Sequence, residues 1–150
     1  MKSPILSGLF LVLALVVSGC GNTATANRGT ASPDPLVVED QAGLIAALQA
    51  AGATVEVGDS ISQDFFSPEG NIIKVNGADV QVFEYESAEA MGNEASQVAP
   101  DGGSIGTSMV SWMDTPHFYK TDRIIALYVG SDQTILDLLE MVMGPQFAGQ

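Results

Sequence analysis

The densest group of chemically versatile side chains lies in residues 112–120, WMDTPHFYK. This range contains the only Trp and the only His of the chain, and it adds Phe118 and Tyr119. Trp, Tyr and His rings bury a large area at little entropic cost and carry polar tips. We therefore take Trp112, His117, Phe118 and Tyr119 as candidate binding residues. Alternatively, the same aromatic rings close the end of a hairpin's core.

Catalysis in this chain depends on His117, because no other imidazole is present. Histidine is the most frequent general base near neutral pH, and a carboxylate commonly orients it. Asp114 and Asp122 are the nearby acids, so a small hydrolase or other enzyme using His117 is the alternative to a binding role. The sequence has no G-x-S-x-G motif to supply a nucleophilic serine.

Other acidic and glycine-rich segments give weaker indications. Glu84 and Glu86 lie two residues apart, as a solvated strand face requires, and nothing indicates a cleft between them. The segment Asp101-Gly102-Gly103 is typical of a loop that ends a helix. No calcium-loop motif is present, and one Cys with one His cannot form a metal cluster. We predict no metal site and no cofactor.

The first 19 residues, MKSPILSGLFLVLALVVSG, have the pattern of a secretory signal peptide. Lys2 supplies a positive amino-terminal region, and a run of 13 mostly apolar residues follows from Ile5 to Val17. A membrane-spanning helix needs about 20 apolar residues, so this run fits a cleaved signal better than a permanent span.

The end of this run, Val17-Ser18-Gly19-Cys20, resembles the lipobox of bacterial lipoprotein precursors. The resemblance implies that the signal is cut before Cys20 and that the Cys20 thiol receives a diacylglyceryl group. The resemblance also implies a second acylation site at the new amino terminus, for example for palmitate. Two or three acyl chains hold a protein stably on a membrane. The predicted location is the cell envelope, on the outer face of the cell membrane or on the outer membrane, which Gly21 mildly favours in a bacterium with two membranes.

Residues 20–36 are predicted to be the lipidated cysteine and a flexible tether, because they are almost all small or polar. Residues 37–150 are predicted to form a single domain.

The whole chain has a net charge of −13, which becomes −14 once Lys2 leaves with the signal. Nucleic acid and anionic lipid both favour clustered Lys and Arg. We therefore expect no nucleic-acid partner and membrane attachment only through the lipid on Cys20.

The domain is predicted to have an α+β fold, with an antiparallel sheet of about five or six strands and helices packed on one face, a two-layer sandwich. The clearest local signal is Asn76-Gly77 between alternating apolar runs, which predicts a hairpin with a two-residue type I′ turn. This turn sets Val75 opposite Ala78, Lys74 opposite Asp79 and Ile73 opposite Val80.

Capping residues and apolar spacing predict three helices, which begin after Asp40, Ser87 and Ser131. Besides the hairpin, strands are predicted for residues 53–57, 107–113, 117–120 and 123–129. The sequence alone therefore indicates a lipid-anchored envelope protein with a non-catalytic binding or assembly role, whose partner is an envelope protein or a small ligand.

Overall fold

The computed structural model describes residues 37–150, so the predicted signal, lipobox and tether lie outside the described residues. The described chain contains three helices and eight strands. In chain order they are α1 (Gln41–Ala50), β1 (Val55–Ile61), β2 (Gly70–Val75), β3 (Ala78–Glu84), α2 (Ala88–Ala95), β4 (Ser104–Ile105), β5 (Ser108–Met109), β6 (Pro116–Thr121), β7 (Ile124–Val129), α3 (Gln133–Met143) and β8 (Ala148–Gly149).

Six of these strands form one antiparallel sheet in the order β1-β2-β3-β7-β6-β8. Strands β4 and β5 form a separate two-stranded ribbon. The predicted α+β class, the antiparallel sheet and the number of its strands are thus confirmed. Short connections account for the antiparallel pairing of β1 with β2, of β2 with β3 and of β6 with β7, whereas β3–β7 and β6–β8 pair strands that are distant along the chain.

The central strands β3, β7 and β6 are covered on both faces. Ile124 and Ala126 of β7 face the core that contains α1 and α3, whereas Ile125 and Leu127 face the core that contains α2. Alternating side chains of a strand point to opposite faces, which explains this division. Helices α1 and α3 therefore share one face as predicted. Helix α2 departs from the predicted two-layer arrangement and lies on the second face, because its Met91 and Ala95 pack in the core with Ile125 and Leu127.

The β2–β3 hairpin has the predicted register, with Val75 paired to Ala78, Lys74 to Asp79 and Ile73 to Val80. Asn76 and Gly77 have φ angles of 51° and 88°, the left-handed conformation that a type I′ turn needs. Local turn chemistry and the alternating apolar pattern agree here, so the register is determined by nearby residues alone.

Helix capping is confirmed at two of the three predicted positions. Asp40 accepts a hydrogen bond from the Gly43 amide at 2.8 Å, and Ser87 accepts one from the Ala90 amide at 3.1 Å. The third prediction, Ser131, is wrong by one residue. Asp132 is the N-cap of α3 and accepts from the Thr134 amide at 2.9 Å, because its carboxylate is an equally good acceptor one position later.

The predicted strand over residues 107–113 is wrong for most of its length. Only Ser108–Met109 pairs with another strand, and the chain from Val110 to Thr115 is irregular. The Trp112 indole donates to the Gly102 carbonyl oxygen at 2.7 Å, so a side-chain contact directs this segment in place of a β ladder. Strand β1 also continues past the expected end at residue 57, through an irregularity between Val57 and Ser60.

Candidate functional site

The four candidate residues Trp112, His117, Phe118 and Tyr119 do not lie on one surface. Strand β6 points His117 and Tyr119 towards α3, and it points Phe118 to the opposite face of the sheet, where Trp112 packs. His117, Phe118 and Tyr119 are all buried. The structure therefore joins the four residues in pairs, His117 with Tyr119 and Trp112 with Phe118.

His117 and Tyr119 line a cleft of about 340 Å³ between β6 and α3. Helix α3 contributes Gln133, Leu136 and Glu140, whose spacing of three and four residues places them on one side of the helix. The chain after α3 contributes the rest of the lining. These residues are Pro145, Gln146 and Gln150. We call this the β6–α3 cleft.

Gly144 redirects the chain from α3 back to the cleft. It ends the helix with a φ angle of 85°, a conformation in which glycine is strongly favoured. Strand β8 then pairs with β6, with Ala148 opposite Phe118 and Gly149 opposite His117. This return holds Gln146 beside the His117 ring.

Apart from tyrosines, His117 is the only polar side chain that is buried within residues 37–150, at 5% exposure. Its Nδ1 atom lies 2.7 Å from Oε1 of Gln146, and its ring is stacked on Tyr128 with the centroids 6.1 Å apart. A proton on Nδ1 completes this hydrogen bond, because an amide oxygen only accepts. In that neutral tautomer, Nε2 keeps a lone pair that accepts a hydrogen bond.

Tyr119 has a raised pKa, chiefly because its ring is buried and further because Glu140 and Asp137 of α3 lie near its hydroxyl. Both effects oppose formation of the phenolate. The Tyr119 hydroxyl therefore stays neutral at physiological pH and is able to donate a hydrogen bond.

The polar atoms of both rings are open to the cleft. In the described part of the chain, neither Nε2 of His117 nor the hydroxyl of Tyr119 has a hydrogen-bond partner. No buried side-chain nitrogen or oxygen there lacks a partner, so these two atoms must reach solvent. The cleft is the opening that both residues line.

The other face of the sheet holds an aromatic cluster with ring centroids 4.8–6.1 Å apart. Its members are Phe65, Phe66, Phe83, Trp112, Phe118 and Phe147. Trp112 is half-buried, and its single donor is already bound to Gly102. These rings mainly close the second core, although Met109 and Met113 on either side of Trp112 are almost fully exposed.

The acids proposed to assist His117 have other positions. Oδ1 of Asp114 accepts from the Thr115 amide at 2.7 Å, and Asp114 lines a separate cleft with Trp112 and Asp101. Asp122 lies in the β6–β7 turn, five residues along the chain from His117. Within the described residues, no carboxylate forms an ion pair with His117.

Glu84 has a structural contact, unlike the solvated strand face expected for it. Its two carboxylate oxygens accept from Arg123 at 2.9 Å and from the Gln41 backbone amide at 3.0 Å, which ties β3 and the β6–β7 turn to the start of α1. Glu86 is exposed, as expected of a solvated position.

The described surface is acidic. Residues 37–150 contain three basic residues and 17 of the chain's 18 acidic ones, because only Asp34 lies before residue 37. Each basic side chain has a neighbour. Lys74 pairs with Asp79, Arg123 pairs with Glu84, and Lys120 lies 4.7 Å above the Phe147 ring centre. Across residues 37–150, no three His, Cys, Asp or Glu side chains are close enough to bind a metal ion.

Comparison with known proteins gives no match, since no family model, no curated protein and no solved structure is similar to this chain. The candidate site consequently rests on its own geometry.

The sequence identified the two strand residues of the β6–α3 cleft, but its remaining lining residues were missed. Gln133, Leu136 and Glu140 share one side of a helix that was predicted, so their mutual proximity was readable from their spacing. The sequence did not indicate that α3 lies against β6, because this depends on packing between distant parts of the chain.

Proposed function

We propose that this chain is a lipid-anchored, extracytoplasmic protein of the cell envelope, whose folded domain binds a small ligand or an envelope partner without catalysing a reaction. The anchor is supported by the order of Lys2, the apolar run and Val17-Ser18-Gly19-Cys20. Residues 37–150 include no helix with the length and apolarity to cross a bilayer.

The observation that carries the binding role is the pair of open polar atoms in the β6–α3 cleft. Burying a polar ring is costly unless its hydrogen-bonding atoms are satisfied. His117 and Tyr119 each leave one such atom facing a concave space of about 340 Å³. That volume is at the small end of the range typical of ligand pockets.

The alternative, a hydrolase that uses His117, has less support. Nε2 of His117 is able to act as a base, but the side chains lining the cleft include no Ser, Thr, Cys or Lys that would act as a nucleophile. The group that orients the His117 ring is the amide of Gln146 and not a carboxylate. This arrangement favours hydrogen bonding to a ligand.

The charge of the domain supports attachment through lipid alone. With 17 acids and three basic residues, the described surface repels anionic headgroups. The acyl chains on Cys20 would then be the sole source of membrane affinity.

Metabolic labelling of the expressed precursor tests this proposal. We expect the wild-type protein to incorporate labelled palmitate and Cys20→Ala to incorporate none. Gly19→Ala is the matched control, since it keeps a small residue before the cysteine and should be labelled as wild type. Equal labelling of Cys20→Ala and wild type, or no labelling of either, would overturn the anchor.

A further inference from the structure

We propose that the β6–α3 cleft takes a small, uncharged molecule with several hydroxyl groups, a sugar or a cyclic polyol. This inference rests on the proposed function, because it names the class of ligand that the same cleft would bind. It follows from the kinds of polar group in the lining and from their arrangement.

His117 and Tyr119 together are complementary to a ligand that both donates and accepts hydrogen bonds. With its proton on Nδ1, His117 offers an acceptor at Nε2, whereas the neutral hydroxyl of Tyr119 is able to donate. The residues are two apart on β6, so their side chains are roughly 7 Å apart on the same face. A hydroxyl group is able to donate to Nε2 of His117 or to accept from the Tyr119 hydroxyl, and two neighbouring hydroxyls on one ring are able to make both hydrogen bonds.

The rest of the polar lining has the same mixed character. Gln133, Gln146 and Gln150 contribute side-chain amides, each with a donating and an accepting end. Oε1 of Gln146 is engaged by His117, and Nε2 of Gln133 donates to Asp137 at 2.8 Å. Nε2 of Gln146 is then able to donate to a ligand, and Oε1 of Gln133 is able to accept from one.

The electrostatics of the cleft oppose an anion. No Lys or Arg is among the lining residues, and Glu140 contributes a negative charge. Asp137 adds to the negative field at the Tyr119 hydroxyl. A phosphate or a carboxylate would therefore lose hydration without gaining a cationic partner.

A simple organic cation fits less well than a neutral polyol. Glu140 is the only charged residue in the lining, and it is exposed, so a bound ammonium group would gain little from it. The two rings offer hydrogen-bonding atoms to the cleft, and the His117 ring is already stacked on Tyr128. Leu136 and Pro145 supply the apolar contacts that the C–H face of a sugar ring would use.

Saturation-transfer NMR on the detergent-solubilised full-length mature protein tests the inference. The probes are glucose, N-acetylglucosamine and myo-inositol as polyols, spermidine as a cation, and acetate and methyl phosphate as anions. We expect saturation of at least one polyol and of none of the charged probes.

Three variants locate the binding. Tyr119→Phe removes only the hydroxyl and should weaken polyol binding about 3- to 10-fold, as loss of one neutral hydrogen bond does. His117→Phe keeps a ring to stack on Tyr128 and should weaken binding at least as much. Tyr85→Phe is the matched control, because its hydroxyl bonds Glu94 outside the cleft, and it should bind as wild type.

The outcomes separate the inference from the proposed function. Binding of spermidine, acetate or phosphate, weakened by Tyr119→Phe while no polyol binds, would overturn the ligand class and leave a binding role in place. Polyol binding that is unchanged in both cleft variants would overturn the site. Absence of saturation for every probe would contradict the ligand class and also count against small-ligand binding.

Discussion

Nδ1 of His117 lies 2.7 Å from Oε1 of Gln146, a contact that joins strand β6 to the chain after α3. It links residues 29 positions apart and fixes the orientation of the one imidazole in the protein. Because the amide oxygen accepts, the contact favours the neutral tautomer with its proton on Nδ1, which leaves Nε2 open to the β6–α3 cleft.

Replacing Gln146 should change that tautomer. Since His117 is the only histidine, ¹⁵N-histidine labelling gives a single imidazole spectrum. For the neutral ring, we expect the Nδ1–H form in the wild type and a shift towards the Nε2–H form in Gln146→Leu. Gln150→Leu, which alters the same cleft without removing the bond, should retain the Nδ1–H form. An Nε2–H tautomer in the wild type would contradict the proposed geometry of the cleft.

Removing Arg123 should destabilise the domain. Its guanidinium pairs with Glu84 at 2.9 Å, and its Nε donates to the Glu39 carbonyl oxygen at 3.1 Å, so it holds the start of α1 against the sheet. We expect Arg123→Met to lower the free energy of unfolding by about 1–2 kcal/mol, measured by urea denaturation. Lys74→Met breaks only the exposed pair with Asp79 and should have a smaller effect. An equal loss in the two variants would show that the Arg123 contacts stabilise the domain no more than an exposed ion pair does.

Two glycine substitutions should have opposite effects on stability. Gly77 has a φ angle of 88° in the β2–β3 turn, so Gly77→Ala should lower the free energy of unfolding by about 1 kcal/mol. Gly92 lies in α2, and a methyl group there would meet no atom within 4 Å. Gly92→Ala should raise stability by about 0.5–1 kcal/mol, because alanine favours the helix. Thermal unfolding of the two variants measures both changes, and a stabilising Gly77→Ala would exclude the type I′ turn.

Stability should fall at alkaline pH. Burial raises the pKa of both Tyr85 and Tyr119, with further contributions from Glu94 to the first and from Glu140 and Asp137 to the second. Tyrosines in the unfolded chain ionise near pH 10, while these two keep their protons in the folded state. Above about pH 10 the unfolded state binds fewer protons than the folded state, so rising pH favours unfolding.

Urea denaturation at a series of pH values checks this prediction. The free energy of unfolding of the wild type should decrease above about pH 10, and the double variant Tyr85→Phe/Tyr119→Phe should show a shallower decrease. Equal slopes in the two proteins would show that these tyrosines do not keep their protons in the folded state.

The fold was predictable where local chemistry decides it. Asn76-Gly77 carries its own turn conformation, and the flanking apolar alternation fixes the register, so the β2–β3 hairpin was predicted residue by residue. Asp40 and Ser87 were predictable for the same reason, since a cap bonds amides two or three residues away.

Long-range packing decided the rest. The apolar residues of α2 indicate that one side of the helix packs in a hydrophobic core, but they do not indicate which face of the sheet the helix covers. Residues 107–113 have the β propensity of a strand, yet the bond from Trp112 to Gly102 determines their path. Similarly, His117 and Tyr119 were identified as candidates, whereas Gln146 joins them only because Gly144 turns the chain back to β6.

Mass spectrometry of the amino-terminal peptide, taken from protein purified out of the native membrane, tests the proposed lipid-anchored function most directly. We predict that Cys20 is the first residue and that its sulfur carries a diacylglyceryl group. A mature protein that begins elsewhere, or one that retains an unmodified Cys20 thiol, would contradict the proposal.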